Sequence, residues 1–149
     1  MKIGWLLLAL LMGVLIPAQA VMNARMRTFV LNPMYSSLLN FMVGGGLIIA
    51  ATALTITLGQ QGHWRGVNQA PWWAWCGGLI GASVVVIGIL VVPNIGAANY
   101  SVAIIAGQLF GALVLDHFGW LGVQQHPISL PRLTGAALLM LGVWLIQRN

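Results

Sequence analysis

Long apolar runs dominate the sequence, and they set what the chain can fold into. Five runs, at residues 3–21, 34–58, 72–92, 97–115 and 130–146, are separated by short segments that hold most of the charged residues. A helix of about 20 apolar residues crosses the hydrocarbon core of a bilayer, and each run has about that length. The sequence therefore predicts one domain, residues 1–149, that is an all-α bundle of five transmembrane helices.

The composition excludes most other classes of protein. Hydrophobic residues make up 60% of the chain and charged residues 5%, whereas a soluble domain has about 25% charged residues. The net charge of +5 comes from six scattered Lys and Arg side chains, which is too sparse for a nucleic-acid surface. The predicted surroundings are a lipid bilayer, and no nucleic-acid partner is expected.

The first run also resembles a secretory signal peptide. Lys2 precedes the apolar run, and Ala18-Gln19-Ala20 has the spacing of a cleavage site. The run is longer than the 7–15 residues usual for such a signal, and the chain that would remain after cleavage is itself membrane-embedded. We expect this segment to be retained as the first span.

Polar residues share one helical face at the end of the first run. Gln19, Asn23 and Arg27 follow at i, i+4 and i+8, a spacing that aligns side chains along a helix. We interpret Arg25 and Arg27 as interfacial anchors to lipid headgroups, and Gln19 and Asn23 as lying deeper. Asn32-Pro33 then predicts a turn.

Uncharged polar residues recur inside the other runs as well. The full set is Gln19, Asn23, Asn40, Ser83, Ser101 and Gln108. A buried amide without a partner costs roughly 2 kcal/mol or more, so these side chains are expected to converge on one another or on a polar cavity. Two interpretations remain open: hydrogen bonds that join helices, or the lining of a substrate pathway. The predicted pathway residues are Gln19, Asn23, Asn40, Ser101 and Gln108.

Glycine pairs predict close helix packing in the third and fourth runs. Gly77 and Gly81 are four positions apart, as are Gly107 and Gly111, and small residues at this spacing let membrane helices approach closely. We interpret both pairs as helix-packing edges. Between the two runs, Pro93 is predicted to close the third span, and residues 94–96 to form a tight turn.

The only acidic residue, Asp116, limits the available chemistry. There is no second carboxylate for acid–base catalysis, no His-x-x-x-His pattern, and Cys76 is the single cysteine. The chain is therefore not expected to be an enzyme, and no metal or cofactor is predicted. At 1.5 Å per residue, Asp116 lies about 12 Å beyond Gln108, near the membrane interface. Two roles are open to it: ion coupling, or pairing with Arg132 across the loop.

The basic residues do not specify an orientation. If the chain crosses five times, one side receives Lys2, Arg65 and Arg132, and the other receives Arg25, Arg27 and Arg148. Orientation normally follows the excess of Lys and Arg on the cytoplasmic side, and here neither side has an excess. Either the protein inserts in both orientations and pairs as an antiparallel dimer, which we favour, or the adjacent arginines of one loop dominate.

Several motifs follow one another along nearly the whole chain. They are Pro17-Ala18-Gln19 with Asn23-Ala24-Arg25, Gly77-Gly78-x-x-Gly81, Pro93-x-x-Gly96, Gly107-Gln108 with Asp116-His117-Phe118-Gly119, and Pro131-Arg132-x-x-Gly135. Together they resemble the YdcZ-type family of the drug/metabolite transporter superfamily. The resemblance implies five transmembrane helices in a bacterial inner membrane, and a homodimer or paralogue dimer of inverted topology. It also implies export or exchange of small organic solutes.

The sequence departs from the small multidrug exporters of that superfamily in one respect. Those proteins exchange protons for cationic drugs at a glutamate in the first helix, where this chain has Gln19 and Asn23 and no acid. The neutral amides are therefore expected to hydrogen-bond a polar solute. A non-transporting membrane subunit or assembly partner is the main alternative, and an ion channel is a third. Flux that saturates with solute concentration would favour a carrier.

Overall fold

The chain folds into α-helices joined by short connections. The computed structural model describes residues 2–60 and 62–148. The side chains of Lys2 and Arg65, two charges in the loop count above, lie outside what it describes, as does that of Trp64. The elements are α1 (Lys2–Val30), α2 (Pro33–Thr57), α3 (Cys76–Phe118) and α4 (Leu130–Gln147), with 3₁₀ turns at Trp64–Gln69, Trp72–Trp75 and Trp120–Gly122. No strand occurs in the described residues, which confirms the all-α prediction.

Four of these helical segments are long and apolar enough to cross a membrane. Within the described residues they are Ile3–Val30, Pro33–Thr57, Trp72–Phe118 and Leu130–Gln147. The first continues well past residue 21, where the first span was predicted to end. Asn23, Arg25 and Arg27 are therefore helical residues and not part of a connection. The third and fourth predicted spans lie in one segment, so the count of five is not reproduced directly.

The backbone leaves the helical conformation once within α3, at Gly96. Its φ of 81° and ψ of 160° fall in a region open almost only to glycine. The sequence predicted that the helix ends at Pro93, but the helix continues past it. A proline keeps a φ near −65° that a helix accepts, and its cost is a lost hydrogen bond and a clash of its ring with the carbonyl of residue i−4. Glycine can instead adopt a positive φ, which interrupts the helix.

The connection between α1 and α2 is a tight turn closed by a helix cap. The side-chain Oδ1 of Asn32 accepts hydrogen bonds from the backbone N–H groups of Met34, at 2.7 Å, and Tyr35, at 3.4 Å. Pro33 occupies the first helical turn, where a missing N–H has no cost. The Asn-Pro pair thus starts α2 directly after α1, and the two helices pack against each other.

The chain divides into two compact units, residues 1–93 and 94–149, and few side chains are buried in either. The buried residues of the first include Ala24, Ser36, Ser37, Ile89 and Val92, and those of the second Tyr100, Ala106, Leu113, Ala136 and Val143. Large apolar side chains are exposed along every helix. In water such a surface would aggregate, whereas lipid tails or another apolar helix can cover it.

Candidate functional site

A pocket with a mixed polar and apolar lining lies between α1 and α2. Its volume is about 210 Å³, and its lining residues are Met22, Asn23, Met26, Ser36, Leu39, Asn40 and Val43. One amide comes from each helix, Asn23 from α1 and Asn40 from α2, and no charged side chain is among the lining residues. We call this feature the α1–α2 pocket. Its lining suits an uncharged molecule that has both hydrogen-bonding and apolar parts.

Hydrogen bonds between the two helices hold this pocket together. The hydroxyl of Ser36, which is 1% exposed, donates to the backbone carbonyl of Asn23 at 2.7 Å. The amide Nε2 of Gln19 donates to Oδ1 of Asn40 at 3.5 Å, a long and therefore weak hydrogen bond. The structure thus brings together three of the predicted pathway residues: Gln19, Asn23 and Asn40.

Serine residues contribute more to this region than the sequence alone indicates. Ser36 precedes Asn40 by one helical turn, so its place on the same face of α2 follows from the spacing. Its contact with Asn23 does not, because periodicity cannot tell which helix a face meets. The neighbouring Ser37 hydroxyl is buried and has no hydrogen-bond partner among the described residues.

The other two predicted pathway residues, Ser101 and Gln108, belong to the second unit. The Ser101 hydroxyl donates to the carbonyl of Ala97 in its own helix at 2.7 Å. Gln108 is exposed on α3. The predicted packing glycines are also open: a Cβ built on Gly77, Gly81, Gly107 or Gly111 would meet no heavy atom within 4 Å, neighbouring backbone of the same helix apart. Their packing role therefore stays a prediction, and it would involve a helix of another protein chain.

A second pocket lies between the end of α3 and the start of α4. Its volume is about 320 Å³, and Leu109, Ala112, Leu113, Asp116, Pro131, Arg132, Gly135 and Ala136 line it. The structure brings the two charged residues together, with 3.1 Å between Arg132 Nη1 and Asp116 Oδ2. Both side chains are about one-third exposed (36% and 35%), so solvent screens their attraction.

Backbone contacts fix the loop above this ion pair. The Arg132 guanidinium also donates to the carbonyl of His126 at 3.2 Å, and the N–H of His126 donates to the carbonyl of Asp116 at 2.7 Å. His117 accepts at Nδ1 from the N–H of Ile128 at 3.2 Å. Asp116 and His117 therefore hold the loop between α3 and α4 in place. Among the described residues, no three His, Cys, Asp or Glu side chains group as metal ligands would.

The first prediction concerns the energy of the Asp116–Arg132 ion pair. We expect Asp116→Asn and Arg132→Gln each to change the free energy of unfolding by about 1 kcal/mol or less, because partly exposed pairs contribute little. Thermal unfolding in detergent of both single variants and the double variant measures their coupling. A coupling above about 3 kcal/mol would contradict this, since only a desolvated pair reaches that size.

The long apolar helices and their exposed apolar surface together define a multi-pass helical membrane protein. A model of the family described as "Putative inner membrane exporter, YdcZ" matches residues 4–145. The chain is also 35% identical over 112 residues to the "Inner membrane protein YdcZ" of Escherichia coli (strain K12), covering 75% of this chain and 73% of that protein. No solved structure matches the chain.

The chain therefore belongs to the YdcZ family of inner-membrane proteins. The predicted resemblance to this family and the predicted location, as a multi-pass protein of the bacterial inner membrane, are confirmed. The family is described by export and not by catalysis, in line with the expectation that the chain is not an enzyme.

Proposed function

We propose that the protein exports a small, uncharged, polar organic solute across the inner membrane, and that the solute passes through the α1–α2 pocket. The observation that carries the proposal is the lining of this pocket. Amides and a hydroxyl supply hydrogen bonds, while Met22, Met26, Leu39 and Val43 supply apolar contact. A binding site built in this way fixes a ligand's orientation through a few polar groups. A cation would find no counter-charge there.

We propose further that α3 crosses the membrane twice, which gives five crossings. Its 43 residues would span about 65 Å as one straight helix, roughly twice the thickness of the hydrocarbon core. The non-helical Gly96 divides it into residues 76–95 and 97–118. Each part has the length of one membrane span.

The functional unit in this proposal is a dimer of two copies, or of this chain and a paralogue, with inverted topology. Gln108 is exposed near the middle of a span, and an unpaired amide facing lipid is costly. The four open glycines offer surfaces that another helix can approach closely. The even distribution of Lys and Arg allows both orientations. The two inverted copies would rock about a central site, so that the site opens to each side of the membrane in turn. Ser101 and Gln108 would also line the solute pathway.

The test is flux measured on the purified protein in liposomes. A thermal-shift screen of neutral and charged organic solutes first identifies compounds that raise the unfolding temperature, as ligands of the folded state must. We expect the hits to be uncharged and polar, and their flux to saturate with concentration. Hits restricted to lipophilic cations would contradict the proposed substrate class. Binding without flux would favour a non-transporting subunit, and flux that does not saturate would favour a channel.

A further inference from the structure

The proline in α3 leaves one backbone carbonyl without its usual partner. In a helix the carbonyl of residue i accepts from the N–H of residue i+4, and for Ile89 that residue is Pro93, which has no N–H. Ile89 is fully buried, at 0% exposure. A buried carbonyl that no donor reaches is destabilising, so another group is needed at this point.

An arginine from a different helix supplies the donor. The Nη1 of Arg27, on α1, donates to the carbonyl oxygen of Ile89 at 3.5 Å, across 62 positions of sequence. This distance is as long as that between Gln19 and Asn40, but the positive charge of the guanidinium adds to its attraction for the carbonyl oxygen. Arg27 is partly buried, in contrast to the exposed Arg25, whose guanidinium lies 5.3 Å above the ring of Phe29.

We propose that Arg27 is a positioning residue that replaces the missing N–H of Pro93 and links the α1–α2 pocket to the break in α3. Asn23 lines the pocket. Arg27 lies one helical turn after Asn23, and Gln19 lies one turn before Asn23. Pro93 lies three positions before Gly96, where α3 leaves the helical conformation. A movement of α1 on ligand binding in the pocket would therefore shift the Arg27 guanidinium. Through its hydrogen bond to Ile89, that shift would move the part of α3 that precedes Gly96.

The Arg27–Ile89 hydrogen bond and its role in a transport cycle have different support. The hydrogen bond between Arg27 and Ile89 is a structural feature that needs no function to explain it. Its role in a transport cycle rests on the proposed function. The role of Arg25 as a headgroup anchor stays a prediction, whereas Arg27 makes a specific contact inside the protein.

A double-mutant cycle between Arg27 and Pro93 tests whether Arg27 replaces the N–H that Pro93 lacks. Arg27→Met keeps the apolar stem and removes the donor, and we expect it to lower the thermal unfolding midpoint by on the order of 5 °C. Pro93→Ala restores the backbone N–H. In that background Arg27→Met is expected to lower the midpoint by less than half as much.

Equal losses in both backgrounds would overturn the proposed role of Arg27, because they would show that Arg27 does not serve the Ile89 carbonyl that Pro93 leaves without a donor. Arg25→Met is the matched control, and its effect should be small and the same with or without Pro93. If Pro93→Ala does not yield folded protein, Pro93→Ser restores the same N–H and replaces it. Arg27→Lys, which keeps a charged donor, should recover part of the lost stability.

Hydrogen exchange tests the link between the pocket and α3 without any solute. We expect the backbone amides of residues 90–92 and 94–98 to exchange about tenfold faster in Arg27→Met than in the wild type, because local opening there becomes easier. Asn40→Leu should also raise this exchange in the wild type, but not in Arg27→Met. If Asn40→Leu acts equally in both, the link through Arg27 is disproved, and the transport function is left to its own flux test.

Discussion

Replacing Gly96 by valine is expected to lower the thermal unfolding midpoint by on the order of 10 °C. The backbone at Gly96 has φ 81° and ψ 160°, and holding a residue with a side chain there costs about 1–3 kcal/mol, with β-branched residues at the upper end. In a chain of this size each kcal/mol corresponds to a few degrees. Flux should fall as well, because α3 must be interrupted for each half to match the bilayer.

The expected loss arises from backbone conformation and not from crowding. A Cβ built on Gly96 would meet no heavy atom within 4 Å, so a side chain has room there. Gly96→Ala should therefore also destabilise, by less than valine does. Gly13 is the matched control, since it is helical and equally uncrowded; alanine there should be neutral or slightly stabilising. Wild-type stability of the valine variant would refute a required break at this position.

Helix locations could be predicted closely from the sequence because apolar runs and turn residues mark them. The Asn32-Pro33 turn and the start of α4 near Leu130 were both placed correctly to within one residue. The end of α1 was not, because Asn23, Arg25 and Arg27 resemble an interfacial flank. Polar residues on one face of a helix that packs against a second helix do not end it, and nothing in a single helix's pattern shows what packs there.

The break in α3 lies at Gly96, within the turn predicted over residues 94–96, but the helix continues past Pro93, where the span was predicted to close. Proline removes one helical hydrogen bond and crowds the carbonyl of residue i−4, and a donor from elsewhere can replace the lost hydrogen bond. Arg27 does so from a position 62 residues away, which no local pattern reveals. The candidate site shows the same limit. Spacing placed Gln19 with Asn23 on α1, and Ser36 with Asn40 on α2, but only the fold joins the two faces.

Replacing Asn40 by leucine is expected to reduce flux of the transported solute about tenfold or more. Asn40 lines the α1–α2 pocket and accepts a hydrogen bond from Gln19. Leucine keeps the branching at Cγ but offers no hydrogen bond, so a polar group of the bound solute would lose its partner. Such a loss costs about 1–3 kcal/mol, and 1.4 kcal/mol corresponds to a factor of ten.

The measurement is the initial rate of uptake into liposomes, normalised to folded protein, for the solute that the screen identifies. Thr52→Val is the matched control on the same helix, because the Thr52 hydroxyl donates to the carbonyl of Ile48 in its own helix at 2.8 Å and does not line the pocket. We expect it to keep wild-type flux.

Gln19→Leu should reduce flux too. The double variant Gln19→Leu/Asn40→Leu should lose less flux than the sum of the two single losses, since the two amides share one hydrogen bond. Wild-type flux in both Asn40→Leu and Thr52→Val would remove the α1–α2 pocket from the transport pathway, and would leave the pocket's polar groups as contacts that join α1 to α2.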